Sequence, residues 1–182
     1  MSRGPLVLRI HDLTRRPGTT QAVVLDVPAP ADLGTEVIGV PAGSPVHLDL
    51  VVTSALDGVL VSGTASADLE GECVRCLEPV RTRAEVELSE LFLYPEALAR
   101  AAADGDEEAA EMPSTDGEFL DLEPLVRDSV VTALPFRPLC SADCPGLCPT
   151  CGIPLRDAEA GHSHEVIDPR LKVLEGWKDE PA

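Results

Sequence analysis

All six cysteines of this 182-residue chain lie in three closely spaced groups, and this pattern constrains the fold more than any other feature. The groups are Cys73–Cys76, Cys140–Cys144 and Cys148–Cys151, and Gly152 follows the last of them. Two residues between two thiolates allow both sulfurs to face one ion from a tight turn, as tetrahedral zinc requires. A glycine after the second thiolate can adopt a positive φ and turn backbone N–H groups towards the sulfurs. The spacing therefore predicts zinc binding.

Two histidines extend the set of candidate ligands. His162 and His164 follow Cys151 by eleven and thirteen residues, within easy reach of an ion held by that cysteine. His11 and His47 stand alone in strand-like sequence, and we interpret them as ordinary surface or half-buried residues. The candidate zinc ligands are thus Cys73, Cys76, Cys140, Cys144, Cys148, Cys151, His162 and His164.

These residues suit either one or two zinc ions, and three partitions of them remain open. The first partition places Cys73, Cys76, Cys140 and Cys144 on one ion. It leaves a second ion to Cys148, Cys151, His162 and His164. The second partition joins the pairs at 73/76 and 148/151 in a ribbon-like four-cysteine site, and the third makes a local cluster of the four cysteines in 140–151. Spacing alone does not choose among them.

Thiol–disulfide catalysis and iron–sulfur binding are less consistent than zinc binding with the sequence around the cysteines. A thiol–disulfide catalyst carries its Cys-x-x-Cys at the start of a helix, whereas Cys73 and Cys76 lie between two strand patterns. Four thiolates also suit an iron–sulfur cluster, but nothing in this aromatic-poor sequence favours electron transfer. Six reduced thiols without metal are the remaining alternative. Because no phosphate-binding loop, HExxH motif or serine-nucleophile motif is present, we expect neither enzymatic activity nor a small-molecule substrate.

Hydropathy indicates the cellular compartment of the protein, and charge indicates which partners it can contact. We see no apolar leader with a cleavage site and no apolar run of membrane-spanning length, so we expect a cytoplasmic protein with reduced thiols and no membrane contact. The formal net charge of −18 would repel a phosphate backbone at long range, which argues against a nucleic-acid footprint over the whole surface. Arg75, Arg81 and Arg83 form the one obvious basic patch, beside the first cysteine pair.

Alternating apolar residues predict an antiparallel, β-rich body. Residues 46–52 and 59–65 alternate on either side of an Asp-Gly turn, as two paired strands do. Residues 80–88 alternate again with a charged face, which places Cys73 and Cys76 at a hairpin end between two strands.

One helix is predicted over 122–133, because its apolar residues recur at helical spacing. Glu123 and Pro124 suit its first turn, and Pro135 ends it. Its apolar face should pack on the sheet, and its end leads directly to Cys140.

The predicted fold class is therefore α+β, with three segments. Residues 1–95 form the β-rich body, and 96–118 form an acidic, flexible loop in which 97–103 could make a short helix. Residues 119–182 carry the main helix and the Cys/His zinc-binding segment, in one compact unit with the body. A short amphipathic segment is expected over 168–177.

Several segments, in this order along the chain, resemble the YceD family, the large ribosomal RNA subunit accumulation proteins. They are Gly71–Pro79, Asp121–Cys140, Asp143–Gly152 and Ile167–Leu171. Members often carry a Cys-x-Cys pair where this chain has His162 and His164, which supports an exchange of sulfur for imidazole. The resemblance thus favours grouping these histidines with the cysteines at 148 and 151.

The resemblance implies a role in the accumulation of 23S ribosomal RNA and in biogenesis of the large ribosomal subunit, without enzymatic activity. The expected partner is the pre-ribosomal large subunit, met through a basic ribosomal protein that the acidic surface shields, with direct contact to rRNA at the arginine patch as a further option. The alternative function is a zinc-stabilised protein-interaction or regulatory module unrelated to ribosomes.

Overall fold

The chain folds into an antiparallel sheet, and its helices follow in the C-terminal half of the sequence. A computed structural model describes residues 4–11, 13, 16–164 and 170. In chain order, the elements are β1 (Val7–Arg9), β2 (Thr20–Pro28), β3 (Ile38–Gly39), β4 (Pro45–Ser54), β5 (Gly58–Glu72), β6 (Pro79–Leu93), α1 (Pro95–Asp104), α2 (Glu107–Glu111), β7 (Phe119–Asp121) and α3 (Glu123–Ala133). The α+β class, the antiparallel β-rich body and the main helix are confirmed.

The main sheet has five strands, and its centre is the long strand β5. Strand β4 pairs with β5 from Val46 opposite Ala67 to Ser54 opposite Val59, so the predicted hairpin is confirmed. β2 pairs with the other side of β4, β3 pairs with the end of β5, and β6 follows the opposite edge of β5 along its whole length. The sheet therefore ends at β2 on one side and at β6 on the other.

Alternation along the strands decides which face is buried. In β4, every second residue is fully or almost fully buried, while those between are exposed or half-buried. An antiparallel sheet with one solvated face has this pattern. The buried face contacts α3 through Val126 and Val130, and both residues belong to the same core cluster as the strands. The helix therefore packs on the sheet as its apolar spacing predicts.

The acidic segment contains two short helices, and the first of them covers the short helix considered over 97–103. Helix α1 has a proline in its first turn, an alanine-rich body and Gly105 at its end with φ +76°, features that start and stop a helix. In α2, the Asp106 side chain accepts a hydrogen bond from the N–H of Ala109 at 3.1 Å, which caps the helix. None of the helices in the described ranges is long and apolar enough to cross a membrane. The segment expected over 168–177 lies outside the described residues, apart from Arg170.

Candidate metal centre

The first cysteine pair lies in the turn that joins β5 to β6. The N–H of Cys73 donates to the carbonyl of Glu78 at 2.8 Å, and the N–H of Leu77 donates to the carbonyl of Cys73 at 2.9 Å. These two bonds close a tight turn from which both Cys73 and Cys76 project. Leu77 has φ +61° at the position that Gly152 occupies after the last cysteine pair, so the two turns share a left-handed residue.

Long-range bonds bring the segment after α3 onto this turn. The N–H of Val74 donates to the carbonyl of Pro138 at 3.0 Å, and the N–H of Leu147 donates to the carbonyl of Arg75 at 3.1 Å. The Arg75 guanidinium in turn donates to the carbonyl of Cys144 at 2.8 Å. The predicted basic patch therefore uses one of its arginines to hold the two cysteine segments together.

Four sulfurs meet at this point and form what we call the inner site, made of Cys73, Cys76, Cys140 and Cys144. Their Sγ atoms all lie within 4.8 Å of one another. The Cys73–Cys144 Sγ distance is 3.8 Å and the Cys76–Cys140 Sγ distance is 3.5 Å. A zinc ion with Zn–S bonds of about 2.3 Å sets tetrahedral sulfurs about 3.8 Å apart. The donor set thus fits zinc in both chemistry and size.

The cysteines of the inner site differ in pKa. Burial raises the pKa of Cys73, but backbone hydrogen bonds, first among them that of Cys140, outweigh it and lower this pKa to about 6. A backbone hydrogen bond from Glu78 lowers the pKa of Cys76, whereas burial and the neighbouring thiols raise it to about 12. Four adjacent sulfurs cannot all ionise without a compensating cation, and zinc would supply that charge.

The remaining four candidates form a second group, the outer site, made of Cys148, Cys151, His162 and His164, with ligand atoms within 4.8 Å of one another. The Cys151 Sγ lies 3.5 Å from Nε2 of His162, and the Nε2 atoms of His162 and His164 are 3.2 Å apart. Tetrahedral zinc with Zn–N bonds of about 2.0–2.1 Å gives separations of about 3.3–3.6 Å for such pairs. This group also fits zinc.

Local backbone bonds shape the outer site. The N–H of Gly152 donates to the carbonyl of Cys148 at 2.9 Å, and Gly152 has φ +74°. Backbone hydrogen bonds from Cys151 and Thr150 lower the pKa of Cys148 to about 6 against the opposing effect of burial, with help from His162. Of its four candidate ligands, only Cys148 is buried, so the outer site is far more open to solvent than the inner one.

The structure brings the eight candidates together in the first of the three partitions. Among the described residues, neither the ribbon-like grouping nor the local four-cysteine cluster is formed. An ion pair between Arg156 and Glu78, with Nη2 and Oε1 2.7 Å apart, joins the outer segment to the first turn. Sequence reasoning missed Arg156 because a single arginine in a loop carries no pattern. The isolated residue His47 lies in β4 with its Nδ1 2.9 Å from Asp26, apart from both sites.

The other two arginines of the predicted basic patch are paired with carboxylates across the sheet. Arg81 lies 3.2 Å from Glu70, and Arg83 lies 3.7 Å from Asp68. The register of β5 and β6 sets each pair directly opposite. The patch is therefore a row of alternating charges and not a continuous cationic surface.

A family model described as "Large ribosomal RNA subunit accumulation protein YceD" matches residues 61–178, a range that includes both candidate sites. The chain belongs to the YceD family. It is 47% identical over 170 residues to uncharacterized proteins of Mycobacterium tuberculosis and Mycobacterium bovis, which is 93% of this chain and 80% of each relative. An uncharacterized protein of Mycobacterium leprae is 41% identical over 165 residues, 91% of this chain and 74% of the relative. No solved structure matches the chain.

Proposed function

We propose that this YceD-family chain is a non-enzymatic factor for the accumulation of 23S ribosomal RNA and for biogenesis of the large ribosomal subunit. The observation that carries the proposal is the family match over residues 61–178. The protein would act in the cytoplasm, where the six free cysteines stay reduced and available to a metal.

Two structural zinc ions are the second part of the proposal. The inner site would hold one ion with four sulfurs, and the outer site would hold another with two sulfurs and two imidazoles. Four protein ligands complete the coordination of zinc, and such closed sites are structural. Bound zinc would neutralise the thiolates and cross-link the segments that carry them.

A basic protein is the partner that the charge distribution favours. The net charge is −18, and Arg81 and Arg83 are already paired across the sheet. Such a surface attracts cationic protein and repels a phosphate backbone. The protein would therefore meet the pre-ribosomal large subunit through a basic ribosomal protein, with any contact to rRNA confined to a small area.

Depletion in the native host tests the biological role. We expect the levels of 23S rRNA and of the large subunit to fall while 16S rRNA stays constant, with recovery when the wild-type chain is re-expressed. Unchanged 23S rRNA after depletion would contradict the role. Affinity capture that returned one partner unrelated to ribosomes would instead support the alternative of a regulatory interaction module.

Elemental analysis tests the metal. Protein purified without chelator is expected to contain two zinc ions per chain. The double variant Cys148→Ser/Cys151→Ser should retain one ion, and Cys73→Ser/Cys76→Ser should lose the inner ion. The absence of zinc, or the same zinc content in all three proteins, would refute structural zinc at these cysteines.

A further inference from the structure

A groove of about 800 Å³ lies between the outer edge of β6 and helix α3. β6 forms one wall and includes the buried Phe92, and α3 forms the other with the buried Leu125. Glu111 and Pro113, which follow α1 in the acidic segment, border the groove where β6 ends. Neither metal site contributes to it.

The wall formed by β6 has free backbone groups. Along the described chain, β6 pairs with β5 on one edge, and on its other edge Leu93 is the one residue with backbone bonds to another segment: its N–H donates to the carbonyl of Pro113 at 2.9 Å, and its carbonyl accepts from the N–H of Thr115 at 3.0 Å. Backbone groups on one edge recur every second residue, so those of Glu87 and Ser89 point the same way as those of Leu93.

Residues 113–115 thus occupy the position of a further strand beside the end of β6. They form a parallel bridge there, with Leu93 opposite Ser114. Beyond this bridge the strand position is open along the groove. At Leu91 the outward N–H is bonded to the side chain of its own neighbour, Glu90, at 3.2 Å. A free edge of this length is a template for an added strand.

The groove combines an apolar floor with an acidic rim. Phe92 and Leu125 supply the floor. The rim carries four carboxylates, none of which forms an ion pair with a described residue, and no lysine or arginine lines the groove. They belong to Glu87, Glu90, Glu111 and Asp128. The unpaired negative charge at the edge of a free strand selects for a cationic occupant.

We infer that this groove binds an extended, basic segment of a partner protein, which adds a strand to the free edge of β6. The main chain of the segment bonds to the outward groups of Glu87 and Ser89. Alternate side chains of an added strand point in opposite directions. Apolar ones on the α3 side contact Phe92 and Leu125, while lysine or arginine side chains on the opposite side reach Glu87, whose side chain alternates with that of Phe92 along β6. The inference rests on the proposed function only for the identity of the basic partner.

A synthetic peptide tests the inference on the isolated full-length protein. The probe is a fluorescein-labelled peptide of about ten residues in which lysine and valine alternate. We expect anisotropy to show a Kd of roughly micromolar and NMR to show shifts in the amides of residues 87–91. The same peptide with glutamate in place of lysine should not bind. N-methylation of alternate peptide bonds should weaken binding by at least roughly tenfold, since it removes the strand-forming N–H groups.

Matched charge variants distinguish binding in the groove from nonspecific attraction to the acidic surface. Glu87→Lys/Asp128→Lys should weaken binding by at least about tenfold, whereas Glu36→Lys/Asp49→Lys changes the net charge equally outside the groove and should alter Kd by less than about twofold. Ser89→Pro should abolish strand addition without removing a bond to β5, because the N–H of Ser89 points outward.

The peptide-binding experiments test the groove independently of the ribosomal role. Absence of peptide binding overturns it, as does equal weakening by both charge variants. Undiminished binding to Ser89→Pro also overturns it, and if that variant does not fold, the N-methylated peptide decides in its place. Depletion tests the ribosomal role separately. Failure of the peptide experiments therefore does not contradict the ribosomal role, and failure of the depletion experiment does not contradict peptide binding in the groove.

Discussion

At the residue scale, Leu77 has an unfavourable backbone conformation for its type. Its φ of +61° places a leucine in the left-handed region, which costs roughly 1–2 kcal/mol for a residue with a Cβ. The turn needs this conformation because the N–H of Leu77 closes onto the carbonyl of Cys73. Leu77 is 61% exposed, so burial of its side chain offsets little of this strain energy.

Replacement of Leu77 by glycine should therefore stabilise the protein. We expect Leu77→Gly to raise the free energy of unfolding by about 0.5–1 kcal/mol, because relief of strain exceeds the extra entropy that glycine loses on folding. Urea denaturation of the zinc-loaded protein measures the change. Leu77→Ala is the control, since it shortens the side chain but keeps the strain. A glycine variant less stable than the alanine variant would contradict the argument.

At the element scale, Gly63 sets how closely β4 approaches β5. Gly63 has φ +150°, and a Cβ there would lie 2.1 Å from the carbonyl oxygen of Asp49 and 2.8 Å from the Cα of Leu50. Since both neighbours are backbone atoms of the central sheet, relief would require the strands to separate. No substitution at Gly63 is compatible with the observed pairing of β4 and β5.

Gly63→Ala should lower the free energy of unfolding by at least about 2 kcal/mol, through backbone strain and displaced pairing. Gly43→Ala is a matched control: Gly43 also has a positive φ, +77°, but nothing lies within 4 Å of the added Cβ. The control should lose only about 1 kcal/mol. Equal losses in the two variants, measured by urea denaturation, would show that β4 and β5 accommodate the methyl group.

The two proposed zinc sites should contribute unequally to stability. The inner site joins cysteines 64 and 71 residues apart in the chain, whereas the Cys151–His162 pair of the outer site closes a loop of 11 residues. Cross-links over longer loops remove more freedom from the unfolded chain. We expect Cys76→Ser to lower the Tm by roughly 10 °C and Cys151→Ser by less than about 4 °C. Similar decreases in calorimetry would contradict this order.

Local patterns were sufficient to predict the central hairpin, the strand that follows it and the main helix, but not how distant segments meet. The alternation over 46–52 and 59–65 predicts the hairpin, because side-chain period and turn residues are properties of neighbouring residues. The eight candidate ligands were found in the same way. Their partition was not, since it depends on where the end of α3 places Cys140 relative to the turn at Cys73. Helix α1 covers the short helix considered over 97–103, whereas α2 was not predicted because its five residues are too few to show a helical pattern.

At the scale of the whole molecule, the described residues form two separate cores of unequal size. The larger one fills the space between the sheet and α3. The smaller one has four buried members, namely Val80 and the three candidate ligands Cys73, Cys76 and Cys144. A core in which most members are thiols buries little apolar surface, so the proposed zinc ion would supply much of its stability. The larger core contains no cysteine and should hold without it.

Metal removal should therefore unfold one part of the molecule and leave the other intact. We expect a zinc chelator to increase amide hydrogen exchange in 73–80 and 134–164, while β2 and β4 stay protected, because regions with few buried contacts open separately from the main core. Mass spectrometry of peptides from the exchanged protein measures this. Chelator saturated with zinc is the control. If protection in β4 fell together with that of the cysteine segments, the sheet and the metal sites would form one cooperative unit, and the zinc ions would hold the entire fold.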